Sequence, residues 1–275
     1  MEYGIFVHDV APLPRDPRAA CAALWRDILP PGPLRAIYFG SEFCEFLLPD
    51  AAQVARLCVH ARDEGVEPVL LTPVATPGAF VRIKQLLTDL AAAGDAPAIV
   101  FNDWGVASLL RESFPALQRR AGRLINRGIR DPRLMEKEPL FRDVSDERGK
   151  RVRTMLKELG VSALETDPDL EGGFLGDGSE GMQRVLYPPY AYAASGRNCL
   201  IKADSALTID DCFTKGLNSP CSGLCRGESY RIERSDTPLP LWRAGNTVFF
   251  EVPKSRAEVH LAQADRIVLH ERPTP

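Results

Sequence analysis

RAIYFGSEFCEFLLPDAAQVARLCVHARDEGVEPVLLT (35–72) holds one whole repeat of the fold. Arg35–Phe39 is a short run rich in apolar and aromatic residues, which predicts a strand. Asp50 is placed to cap a helix over Ala51–Glu64, with Val54, Leu57 and Cys58 on one face and Gly65 as its stop. Pro68–Thr72 then predicts the next strand. A strand, a helix and a second strand at this spacing form a βαβ unit with parallel strands and a right-handed crossover.

The same alternation extends in both directions. Tyr3–Val7 predicts a strand before this unit, and Ala98–Phe101, Arg123–Ile125, Ala163–Glu165, Gln183–Leu186 and Arg266–Leu269 predict strands after it. Pro77–Ala93 places Phe80, Ile83, Leu86, Leu87 and Leu90 on one helical stripe and ends at Gly94. Trp104–Phe114 and Ser145–Leu159 have the same character, the second ending at Gly160. The class is therefore α/β, and a TIM-barrel-like fold, irregular or incomplete, is preferred to an open sheet because no Gly-x-Gly-x-x-Gly follows the first strand. One domain over 1–275 is expected, with insertions near 170–181 and 202–220.

Of 275 residues, 45% are hydrophobic and 26% charged, with a net charge of −3. That is the balance of a folded globular chain, and it excludes a disordered tail or a bulk polyanion binder. MEYGIFVHDV (1–10) lacks a basic segment followed by an apolar one, and the longest apolar runs fall far short of the ~20 residues a membrane span needs. A cytoplasmic protein is expected, where thiols stay reduced. Seven cysteines then point to metal or thiol chemistry, or to small buried hydrophobes.

In a barrel the chemistry sits where strands end at the C-terminal face. Those ends carry Ser41-Glu42-Phe43-Cys44, Thr72, Asn102-Asp103-Trp104, Asn126-Arg127, Glu165-Thr166-Asp167 and Tyr187 to Tyr190. Cys221-Ser-Gly-Leu-Cys225 lets two thiolates reach one metal centre, and Cys199 and Cys44 lie where a barrel brings them to the same mouth. Four thiolates suit a [4Fe–4S] cluster or an all-cysteine zinc site. Zinc is the weaker reading, because structural zinc usually shows two short cysteine pairs and only one is present. Arg197 and Arg226 stand beside the candidate ligands and would offset negative charge. Cys21 and Cys58 read as core residues, and Cys212 is set aside because Asp210-Asp211 would repel a thiolate.

IYFGSEFC (37–44), VFNDWGV (100–106), GRLINRGIRDPR (122–133), YPPYAYAASGRNC (187–199) and CSGLC (221–225) together resemble the collagenase-like peptidase (U32) family. They are most similar to its branch containing the V subunit of anaerobic ubiquinone biosynthesis. The resemblance runs from the second strand to LPLWRAGNTVFF (239–250), and the insertions match poorly. It implies a barrel carrying a [4Fe–4S] cluster on Cys44, Cys199, Cys221 and Cys225. It also implies oxygen-independent hydroxylation of a ubiquinone-precursor-like or related substrate, a prephenate-like donor and a related partner subunit in a heterodimer. The Lys202–Pro220 insertion and the Glu-Phe-Leu-Leu after Cys44 depart from the pattern and put the substrate in question.

Peptidase chemistry has little support in the residues. There is no H-E-x-x-H and no G-x-S-x-G, and His8, His60, His260 and His270 are scattered, the last two reading as surface or structural residues. Arg119, Arg120, Arg123, Arg127, Arg130 and Arg133 form either a salt-bridged surface or an anion site, with Arg127 and Arg130 nearest a pocket. RNA is a thinner possibility, since no wider basic surface accompanies them. Asp103 is either a general base or the cap of the following helix, Trp104 either a stacking wall or packing, and Glu42 and Glu165 share this ambiguity. Tyr187 and Tyr190 read as packed rim residues. A non-catalytic scaffold subunit stabilised by the cluster or by zinc is the main rival reading.

Overall fold

The computed structural model describes residues 1–94, 96–126, 131–134, 142–168, 181–199, 201–203, 209–218, 221 and 223–275. The strands in chain order are β1 (Glu2–Phe6), β2 (Leu34–Gly40), β3 (Glu67–Leu71), β4 (Ala98–Phe101), β5 (Arg119–Ala121), β6 (Val161–Thr166) and β7 (Gln183–Leu186). There follow β8 (Tyr190–Ser195), β9 (Tyr230–Ile232), β10 (Leu241–Ala244), β11 (Thr247–Glu251) and β12 (Arg266–Leu269). β1 to β7 and β12 form a closed barrel in the order β1-β12-β7-β6-β5-β4-β3-β2. Every neighbouring pair in it is parallel. The fold is α/β and TIM-barrel-like, and its ring is complete.

The helices are α1 (Ala23–Arg26), α2 (Ala51–Asp63), α3 (Pro77–Ala93), α4 (Trp104–Ser113), α5 (Arg142–Glu158), α6 (Ile209–Asn218) and α7 (Ala257–Gln263). Asp50 caps α2 by accepting the Gln53 N–H at 2.7 Å, and Thr76 caps α3. Gly94 ends α3 in the left-handed region at φ 78°, which side chains with a Cβ avoid. The irregularity lies in the crossovers. β1 and β2 are joined through only the short α1, whereas the link from β7 to β12 contains a four-stranded antiparallel sheet, β8-β11-β10-β9.

Alternate residues on each barrel strand point in. Ala36, Tyr38, Val69, Leu71, Ala98, Val100, Ala163, Val185, Tyr187 and Val268 fill the interior. Ile37, Phe39, Leu70, Ile99 and Phe101 point out and pack against Val54, Leu57, Ile83, Leu87 and Leu110 of α2 to α4. On the other side Tyr3, Ile267 and Leu269 pack with Trp25, Leu241 and Phe250.

The expected strand at Arg123–Ile125 is corrected. The strand is Arg119–Ala121, and residues 122–125 form a turn in which the Gly122 carbonyl accepts from Ile125 and Asn126. Two adjacent arginines do not read as a strand, yet Arg120 points into the barrel and binds Glu67 at 2.6 Å. The insertion near 202–220 contains α6, and most of that near 170–181 lies outside the described residues. Among the described residues no helix is long and apolar enough to cross a membrane.

Candidate functional site

The strand ends converge on one buried arginine. Arg123 Nε donates to Glu42 Oε2 at 2.5 Å and its Nη1 to Asp167 Oδ1 at 2.9 Å. Its guanidinium lies 4.4 Å from the Tyr187 ring centroid and 5.0 Å from that of Phe43. Burial opposes the charge, but the Glu42 and Asp167 carboxylates outweigh it and hold Arg123 above its ordinary range. The turn that carries Arg123 is seated by Asn102, whose Oδ1 accepts Leu124 N–H at 3.0 Å while its Nδ2 donates to Thr72 O at 3.0 Å. A Cβ at Gly122 would stand 2.2 Å from that amide, so the turn reaches Asn102 only because residue 122 has no side chain.

Above this network the antiparallel sheet closes the mouth. Phe43 meets the rings of Tyr192 at 5.1 Å and Phe249 at 5.5 Å. His270 stacks on Tyr190 at 5.6 Å, and burial first, then Arg123, pushes its imidazole down to about 3, so it is neutral near pH 7. His260 and His270 are both buried, which overturns a surface placement and leaves the structural one. Tyr187 and Tyr190 are packed as expected.

The cysteines gather at one side of the same mouth. Cys44, Cys199 and Cys225 share a buried cluster with Leu47 and Ile201. Cys221 is half-buried and close enough that its charge acts on both Cys44 and Cys225. Burial pushes the Cys44 thiol up to about 11, partly offset by the backbone N–H groups of Phe46 and Leu47, which donate to its sulfur. Burial, then the other three thiols, pushes Cys225 up to about 12. A soft cation that takes up thiolates relieves such a cluster, and backbone N–H donors suit a bound thiolate. The donor chemistry is that of thiolate ligands, but among the described residues no group of three or more His, Cys, Asp or Glu is placed to hold a metal ion.

Several groups hold these cysteines in place. Ser41 Oγ accepts Cys44 N–H at 3.0 Å. Asn246 Nδ2 donates to Phe43 O and to Gly196 O, each at 2.6 Å, tying the Cys44 loop to the Cys199 loop. Gly216 of α6 packs so tightly that a Cβ there would stand 1.7 Å from Asn198 Oδ1, and its carbonyl accepts Cys199 N–H at 3.4 Å. Gly223, between Cys221 and Cys225, has φ +72°. Cys21 and Cys58 are buried in the core as expected. Cys212 lies on α6.

Two cavities flank Leu124. One of about 310 Å³ is lined by Cys44, Cys199, Phe43, Phe46, Arg197 and Asn246. The other, of about 690 Å³, runs between the outer face of β8 and β10 and two ion pairs, Arg133–Asp131 at 2.5 Å and Arg234–Asp236 at 2.7 Å. Both fall in the size range of small-molecule sites.

Asp103 caps α4, its Oδ1 accepting from Gly105 and Val106, and its Oδ2 accepts Ala75 N–H at 3.3 Å. Trp104 beside it is exposed. Arg127 and Arg130 lie outside the described residues. Arg120 and Arg123 are buried between carboxylates, not part of a solvated surface. Asn246 escaped sequence reading, yet Gly245-Asn246 between LWRA (241–244) and TVFFE (247–251) is a two-residue hairpin signal that marks both the residue and the sheet.

No family model matches the chain, and no curated protein matches it. Eight chains of solved structures do. One, a U32 peptidase (Mk0906), is 12% identical with a TM-score of 0.47 over 100% of this chain and 94% of its own.

Proposed function

We propose that the chain is a barrel protein of the U32 type that carries a [4Fe–4S] cluster on Cys44, Cys199, Cys221 and Cys225. It acts in oxygen-independent hydroxylation of a small molecule, as the catalytic subunit or as the partner of a related one. The observation that carries this reading is the gathering of Cys44, Cys199 and Cys225 into one buried cluster within the influence of Cys221, beside a cavity of about 310 Å³. The motif resemblance supplies the reaction class. When bound, the cluster supplies one-electron chemistry. The residues of this chain exclude water, through Phe43, Leu47 and Ile201, and offer a guanidinium to an anionic substrate through Arg197. A reducing cytoplasm suits such a centre.

A cysteine-peptidase mechanism is disfavoured by the same geometry, because a nucleophilic thiol needs its proton affinity lowered and burial raises it at Cys44 and Cys225. The scaffold reading has one observation in its favour, the packed mouth, where Arg123, Phe43 and Tyr192 lie against one another.

Anaerobic purification followed by iron, sulfide and zinc analysis tests the proposal. Iron and sulfide in equal amounts, lost in Cys221→Ala and Cys225→Ala but kept in Cys21→Ala and Cys58→Ala, are expected. A protein without iron, or with zinc alone, ends the cluster reading. Asp103 and Arg127 belong to the proposal as acid–base and anion-binding residues. Asn caps a helix as well as Asp does, so Asp103→Asn isolates the acid–base role from the capping one. Arg127→Lys keeps the charge and removes bidentate binding.

A further inference from the structure

Charged groups run through the barrel interior among its apolar residues. Arg266 binds Glu67 at 2.8 Å and the solvent-facing Glu2 at 3.1 Å. Arg120 binds both oxygens of Glu67, at 2.6 and 2.8 Å, and donates from Nη1 to the Tyr38 hydroxyl at 3.0 Å. Arg123 binds Glu42 and Asp167. Between these groups Glu165 of β6 is fully enclosed. Neither of its carboxylate oxygens makes a hydrogen bond among the described residues, and its nearest cation is Arg120 Nη1 at 3.7 Å, already engaged elsewhere. The Tyr187 hydroxyl faces it without a hydrogen bond of ordinary geometry.

Charge counting makes this residue distinct. Three guanidinium groups, Arg120, Arg123 and Arg266, face four carboxylates, Glu42, Glu67, Asp167 and Glu165, and Arg266 also binds a fifth, Glu2, at the solvent end. Glu42 and Asp167 share Arg123, and Glu67 takes both Arg120 and Arg266, which leaves Glu165 with only the long 3.7 Å approach of Arg120. An ionised carboxylate so enclosed lacks the partners that would replace water, whereas its acid form carries no charge to solvate.

We propose that Glu165 is carried as a neutral carboxylic acid at the centre of the barrel and is the site at which the core takes up or releases a proton. The groups that face it are Arg120 from β5, Tyr38 and Glu42 from β2 and the loop after it, Arg266 from β12 and Tyr187 beyond β7. Burial lifts its proton affinity most, Arg120 and Tyr187 lower it, Glu42 raises it, and the balance lies near neutrality, at about 7. The inference needs no metal and stands whatever the cysteines bind.

Infrared spectroscopy of the whole protein across neutral pH tests it. The folded wild type should show a protonated-carboxyl C=O band at about pH 6, where exposed carboxyls have ionised, and lose it on further alkalinisation. E165Q should lack that band. Tyr187→Phe should move the midpoint to higher pH, because the hydroxyl that faces the anion and lowers its proton affinity is gone. No such band in folded wild type, or a band that survives in E165Q, would overturn the proposal. If E165Q does not fold, the Tyr187→Phe shift decides, and an unmoved midpoint counts against it.

Discussion

Replacing Arg123 by methionine should cost more stability than any single truncation of the apolar core. The guanidinium is buried and serves two carboxylates, Glu42 at 2.5 Å and Asp167 at 2.9 Å, that are themselves buried. Breaking a buried ion pair costs roughly 3–5 kcal/mol because a charge is left without a partner. Here two charges are left, but each can escape by taking a proton. For a carboxyl with an ordinary affinity that escape costs about 4 kcal/mol at pH 7, since each pH unit is worth about 1.4 kcal/mol. The expected loss is therefore about 4–8 kcal/mol at pH 7, comparable with the whole stability of many domains. It should shrink by about 3 kcal/mol per carboxyl at pH 5, where protonation is easier. Urea unfolding followed by circular dichroism at both pH values measures it. The triple variant Arg123→Met, Glu42→Gln, Asp167→Asn should recover most of the loss, since no buried charge then lacks a partner. A loss below about 1 kcal/mol, a loss independent of pH, or a triple variant no better than the single one would refute this account of the mouth.

Other perturbations follow from the same geometry. His270 is neutral in the fold down to about pH 3 but takes a proton near 6.5 when unfolded, so its contribution is full above 6.5 and is lost as pH falls toward 3. Glu165 acts in the opposite sense, since its affinity is raised from 4.5 to about 7, and it favours the fold increasingly as pH falls through that window. The two slopes oppose each other between 4.5 and 6.5, so His270→Phe should make the protein gain stability on mild acidification; unfolding curves with the wild-type slope would contradict this. Gly216→Ala should push α6 off the Cys199 turn and lower several-fold the metal proposed for the cysteines with the barrel still folded, read by metal analysis beside circular dichroism. Leu87→Ala, buried between α3 and the barrel, should cost about 2–5 kcal/mol in urea unfolding without changing the proposed metal content.

The chain's local patterns were sufficient for the barrel. Helices α2 and α3 were legible because a cap, an apolar stripe and a terminal glycine lie within one continuous segment, and those interactions form between residues a few positions apart. Most barrel strands were legible because buried parallel strands read as apolar runs. β5 was not, because Arg119 and Arg120 look solvated until Glu67, on another strand, is known to neutralise one of them. The antiparallel sheet had a signal in Gly245-Asn246, but its partner strand β8 is separated by a long excursion.

The site divides along the same line. The cysteines and their spacing, including the tight Cys221–Cys225 pair, belong to the sequence itself, as does the resemblance they carry. Their meeting with Cys44 and Cys199 was decided only by tertiary structure, because Asn246, Gly216 and Ser41 fix that convergence through contacts across the chain. The same holds for Arg123, Glu165 and His270. A charged or titratable side chain has the same letter in water and in a barrel core, and only the packing around it determines its partners and whether it keeps its proton.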